Sequence, residues 1–146
     1  MTLKISSQLL DQVHTHGEAS YPEEGAGLLL GATNGETKQV LGLVCLDNSR
    51  ERADRHNRYL LKPEDYLHGE MEASRQGLDV IGVFHSHPDH PDWPSEFDRE
   101  WALPVLSYVI TSVRKGRAVE SKAWLLSEDR EQFVEEPIEL SNDTAI

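Results

Sequence analysis

The stretch GLLLGATNGETKQVLGLVCLD, residues 27–47, restricts the possible folds of this chain more than any other segment. Two apolar runs flank Thr33-Asn34-Gly35-Glu36, and Asn-Gly readily adopts the positive φ angles that a tight hairpin turn requires. The segment therefore reads as two strands of one sheet, and the rest of the chain has to cover that sheet. SSQLLDQVHTH predicts a helix, with Ile5, Leu9, Leu10 and Val13 on one face, Ser6 or Ser7 as its cap and Gly17 at its end. KPEDYLHGEMEASRQG opens with a proline suited to a helix N-terminus, closes with a glycine, and sets Leu67 and Met71 one turn apart. DVIGVFHSH is a strand rich in β-branched and aromatic residues. A short helix begins near Ser95 and stops before Pro104. LSYVITSV and AVESKAWLLS then make a second hairpin through RKGR, and the acidic tail from Glu128 contains one edge strand around FVEEPIEL. The order α, β-hairpin, α, β, short α, β-hairpin predicts an α/β chain of the mixed α+β kind: one mixed sheet with helices against it.

At 146 residues the chain suits a single domain with a real core. Acidic residues outnumber basic ones by 26 to 14, a formal charge of −12, and such a surface repels phosphate backbones, so nucleic acid is not an expected partner. The N-terminus lacks the apolar core of a signal peptide and no run reaches membrane-spanning length, so no membrane is expected and the cytoplasm is the default compartment. The lone cysteine, Cys45, lies in an apolar run and reads as a small buried hydrophobe rather than a nucleophile.

Chemistry concentrates in FHSHPDHPDWPSEFD, residues 84–98. On a strand, residues i and i+2 share a face, so His85 and His87 present two imidazoles side by side, and Pro88 ends the strand there. Asp98, in the first turn of the following helix, can turn back as a third ligand; open catalytic zinc sites use three protein ligands plus water. The structural alternative is a capping box formed by Ser95 and Asp98. Asp98 is not expected to cap and to face the histidines at once, whereas Ser95 can cap and still serve chemistry. Glu23 and Glu24 stand just before an apolar strand; either can serve as a base beside a metal-bound water, or both are solvated carboxylates, and spacing does not choose. Asp89, His90 and Asp92 read as loop residues, with lining a substrate groove or binding adventitious metal as the alternative for His90, and His14, His16, His56 and His68 read as surface histidines. Trp93 and Trp101 are expected to pack the loop and helix into the core, with a groove wall as the alternative for Trp93.

The arrangement Glu24, then His85-Ser86-His87-Pro88, six residues, Ser95, two residues and Asp98 resembles the signature of the JAB/MPN metallopeptidases. The likeness runs from about Tyr21 to Val113 and is greatest to the short bacterial, Mec+-like branch. It implies a curved mixed β-sheet flanked by helices, similar to cytidine deaminases. It also implies Zn2+ held by His85, His87 and Asp98, Glu24 as general base, and Ser95 as oxyanion donor. The implied substrate is the C-terminal Gly-Gly tail of a ubiquitin-like sulfur-carrier protein of the ThiS/MoaD type. A non-catalytic interaction module, or a zinc hydrolase of a small amide or short peptide, are the competing readings. Arg50, Arg52, Arg55 and Arg58 either pair with local Glu51 and Asp54 or grip a substrate carboxylate.

Overall fold

A computed structural model describes residues 1–46 and 61–141. The arginine-rich segment and His56 lie outside the described residues. Eight strands form one mixed sheet: β1 Thr2–Ser6, β2 Ala26–Asn34, β3 Thr37–Leu46, β4 Asp79–Pro88, β5 Ser107–Arg114, β6 Arg117–Leu126, β7 Phe133–Glu136 and β8 Ile138–Ser141. The helices described are α1 Ser7–Ser20, α2 Pro63–Gln76 and α3 Glu96–Trp101.

The strand order is β7-β6-β5-β4-β2-β3-β1-β8. The β4–β5, β1–β3 and β1–β8 pairs are parallel and the others antiparallel. β7 and β8 stand at opposite ends of this order, yet only Pro137 separates them in the chain. One intervening residue spans roughly 7 Å between its neighbours, so the sheet must curl until its two ends approach. Lys38 on β3 confirms the curl: its Nζ donates to Ser107 Oγ on β5 at 2.8 Å, across two intervening strands.

The hairpin closes as expected, with Asn34 paired to Thr37 around Gly35 at φ 63°. β2 and β4 lie side by side at the centre, and Leu28, Leu29 and Leu30 are fully buried. Because both faces of β2 are covered, its apolar run is continuous rather than alternating. One face packs Leu28, Val83, Ala73 and Tyr108 beneath α2; the other packs Leu29, Phe84, Val109 and Val13 beneath α1.

Thr2–Ser6 is a strand, so Ile5 belongs to β1 and not to the helix; Leu3 and Ile5 alternate with polar neighbours at the period of two. Ser6 does cap α1, accepting from the Leu9 N–H at 3.1 Å. Gly17 does not end α1, which continues to Ser20. It is a contact point instead, because a Cβ there would lie 3.2 Å from Ser86 Cβ and from Val113 Cγ2. The tail forms two strands, one at each end of the sheet, where one was expected. Cys45 is exposed: Val44 takes the inward position on β3 and its neighbour therefore faces outward. Leu67 and Met71 are likewise exposed, because α2 turns Gly69 and Ala73 to the sheet.

Gly27 carries the tightest requirement for close approach near the functional end of the sheet. A Cβ would come within 2.2 Å of Phe84 Cζ and 2.4 Å of the Val44 carbonyl oxygen. Gly27→Ala is expected to cost about 2–3 kcal/mol through overpacking, read in a melting experiment as a fall in Tm of roughly 5–10 °C. An unchanged Tm would mean that β2 and β3 separate without cost.

Candidate metal centre

β4 is the strand on which the site is built. Its last residues emerge between β2 and β5, with His85 opposite Ala26 on β2 and Ile110 on β5. Both histidines are buried, on the sheet face opposite that of Ser86. After Pro88 the chain turns at Asp89, whose φ is 58° and whose carboxylate accepts from Lys115 N–H at 2.8 Å. The loop then returns to Ser95, which starts α3.

Asp98 faces both imidazoles. Its Oδ1 lies 3.1 Å from His85 Nε2 and its Oδ2 3.2 Å from His87 Nε2, and the two Nε2 atoms are themselves 3.2 Å apart. Donor atoms around a tetrahedral zinc, at bonds of about 2.0–2.1 Å, stand about 3.3 Å from one another. The spacing and the chemistry of this donor set therefore fit a small, four-coordinate divalent cation. Glu24 is also buried, and it joins His85 and His87 in a group whose ligand atoms all lie within 4.8 Å of one another. The antiparallel register explains its place: continuing the Ala26–His85 pairing by two residues sets Glu24 opposite His87. Glu23 is only partly buried and is not in that group.

The expected conflict at Asp98 does not arise. Its Oδ2 accepts from the Ser95 N–H at 2.8 Å while the same carboxylate faces the histidines, because a carboxylate offers about four acceptor positions. Ser95 Oγ in turn accepts from the Asp98 N–H at 3.1 Å, which completes the capping box. Ser95 is exposed and keeps its hydroxyl proton to donate. The cap thus aims the carboxylate as well as stabilising a helix of six residues.

His87 is oriented from behind. Its Nδ1 lies 2.8 Å from the Pro91 carbonyl oxygen, to which it donates, so the neutral ring presents its Nε2 lone pair to the site. Burial pushes the His85 pKa down, and the neighbouring Asp98 charge offsets this only in part. At His87 burial acts in the same direction, but the hydrogen bond and charge of Asp98 outweigh it and raise the pKa. Burial alone would raise the Asp98 carboxyl; His85 first, and then His87, hold it well below the ordinary carboxylate range.

A cleft of about 380 Å³ opens onto these groups, with Glu24, His87, His90, Trp93 and Ser95 in its wall. Trp93 and Trp101 are 60% and 55% exposed, so neither packs into the core as expected; Trp93 takes the alternative role of a cleft wall. Asp92 lies in the loop as expected and is buried there, its carbonyl accepting from Trp124 Nε1 at 3.0 Å. A contact between residues so distant in the chain leaves no local signal. His14 and His16 are half-buried, bound to Ser121 Oγ and to the Ala26 carbonyl respectively, while His68 is exposed.

A curled mixed sheet whose central strand ends in a His-x-His pair, faced by a helix-borne aspartate and a buried glutamate, defines a class of proteins. The chain belongs to the prokaryotic JAB family: the model described as "Prokaryotic homologs of the JAB domain" matches residues 6–127. It is 29% identical over 134 residues to a "Probable TtuB-protein conjugate cleaving protease" of Thermus thermophilus, covering 90% of this chain and 80% of that protein. It is 37% identical over 83 residues to a "Desampylase" of Pyrococcus furiosus, covering 54% of each. A crystal structure of a JAB1/MPN domain protein from Archaeoglobus fulgidus shares the fold, with a TM-score of 0.56 at 18% identity over 97% of this chain and all of that one. No described helix is long and apolar enough to cross a membrane.

Proposed function

We propose that the chain is a single-domain zinc peptidase that hydrolyses the amide bond at the C-terminal tail of a ubiquitin-like sulfur carrier. The observation that carries the reading is that Asp98 and Glu24 each converge on the His85–His87 pair, beside a cleft lined by Glu24 and His87. His85, His87 and Asp98 would hold the ion. A zinc ion bound there supplies Lewis acidity and lowers the pKa of water to about 7. Glu24 takes the proton from the attacking water and returns it to the leaving nitrogen. The Ser95 hydroxyl donates to the oxygen on which negative charge develops; losing one such donor costs about 10²–10³ in rate. The cap bonds among Ser95 and Asp98 keep both groups in register while this happens.

The two relatives whose names describe cleavage of protein conjugates support a ubiquitin-like substrate. The test is to incubate the zinc-loaded protein with a lysine-linked conjugate of a small carrier that ends in Gly-Gly, and to identify the products by mass spectrometry. The expected product is the carrier with a free Gly-Gly terminus, released in a reaction that a chelator stops and zinc restores. An intact conjugate in the presence of stoichiometric zinc would overturn the substrate. Cleavage that survives chelation would overturn the metal.

A further inference from the structure

We infer that Ser86, the residue between the two histidines, positions Glu24; the inference rests on Glu24 acting as the base. In an antiparallel ladder, a hydrogen-bonded pair of residues exchanges two backbone bonds, each N–H to the other's carbonyl. Gly25 and Ser86 stand opposite each other where β2 begins, and one of these bonds is present: Ser86 N–H donates to the Gly25 carbonyl at 2.9 Å. The reciprocal donor, the Gly25 N–H, goes instead to the Ser86 side chain, with Oγ at 2.8 Å. A side-chain oxygen thus stands in for the ladder's own acceptor at the residue that follows Glu24.

The consequence is geometric. Oγ lies off the ladder on the α1 face of the sheet, so the peptide linking Glu24 to Gly25 is tied to that face while the Glu24 carboxylate reaches the histidines on the other. The tie has little room to relax. Ser86 is 2% exposed, and a Cβ on Gly17 of α1 would lie only 3.2 Å from Ser86 Cβ. Gly25 is confined from the other side, because a Cβ there would meet Ser20 Oγ at 2.5 Å and the His16 carbonyl oxygen at 3.2 Å. Ser86 points away from the metal ligands and touches no reacting atom in this arrangement. It acts through Glu24, by fixing the backbone that carries it.

The experiment compares Ser86→Ala, which removes the acceptor, with Ser86→Thr, which keeps it. Steady-state cleavage of the carrier conjugate is measured together with zinc content and Tm. A misplacement of about 1 Å costs on the order of 10²-fold in rate. Ser86→Ala is therefore expected to lower kcat by roughly 10–100-fold, with KM and zinc stoichiometry unchanged. Ser86→Thr is expected to restore most of kcat, which a purely packing role would not produce. A Ser86→Ala enzyme with wild-type kcat overturns the inference, and so does a loss of kcat matched by an equal loss of zinc. If the wild-type enzyme cleaves nothing, the proposed function has failed, and a crystal structure of Ser86→Ala decides the positioning separately. In that structure the Glu24 carboxylate is expected to leave its place beside His87; a carboxylate that stays there overturns the role assigned to Ser86.

Discussion

Replacing Glu24 by Gln is expected to abolish turnover while leaving the fold and the zinc in place. Glutamine has nearly the same volume and can occupy the same buried position, but it cannot take a proton from water. General-base assistance is typically worth 10²–10⁴ in rate, so kcat should fall by about three orders of magnitude. The effect should appear in kcat and not in KM, because Glu24 is buried beside His87, where the proposed proton transfer takes place. Metal analysis belongs in the same experiment. Full zinc occupancy with lost activity assigns Glu24 to proton transfer, whereas loss of zinc would make it a ligand. Retention of more than a tenth of wild-type kcat would remove Glu24 from the mechanism, and partly buried Glu23 would then be the residue to test.

The second large effect is expected at Asp98, where two substitutions separate two jobs. The carboxylate accepts the Ser95 N–H and also faces both histidines. Asparagine keeps an acceptor for the cap but loses the charge, so Asp98→Asn should preserve Tm and lose zinc. Affinity should fall by more than the roughly 10–100-fold seen when residues that merely support metal ligands are removed. Alanine removes both functions, and Asp98→Ala should lose zinc and about 1 kcal/mol of stability besides, the usual cost of a lost N-cap interaction. Isothermal titration with zinc and thermal melting of the metal-free proteins read the two outcomes independently. Wild-type zinc affinity in the Asn variant would leave Asp98 as a helix cap only.

Some structural signals in this chain are local and others come only from distant partners. The hairpin around Gly35, the strand that ends at Pro88 and the short helix begun by Ser95 were all legible, because each is written in neighbouring residues: a turn dipeptide, a β-branched run, a capping pair. The parallel strand β1 carries only a short alternation, Leu3 and Ile5, which Ile5 shares with the apolar face of the following helix; its pairing with β3 and β8, far along the chain, resolves the choice. Gly17 read as a helix stop because glycine usually is one; only the close approach of Ser86 and Val113 shows why α1 carries it in mid-course. Trp101 and Cys45 are exposed against expectation for a related reason. Residue type sets how much burial would stabilise a side chain, but which face receives cover depends on elements elsewhere.

The sequence by itself determined the candidate ligands and the order in which they occur, because a period of two and a helix cap are properties of adjacent residues. It also determined that the chain builds a sheet around one hairpin. Only the tertiary structure placed Glu24 rather than Glu23 beside the two histidines, since that placement depends on the register of β2 against β4, a contact across some sixty residues of chain. The tertiary structure alone also showed that the Asp98 carboxylate caps the helix and faces both histidines at once. The direction of a carboxylate is set by where α3 docks, and docking follows from packing that no local pattern encodes.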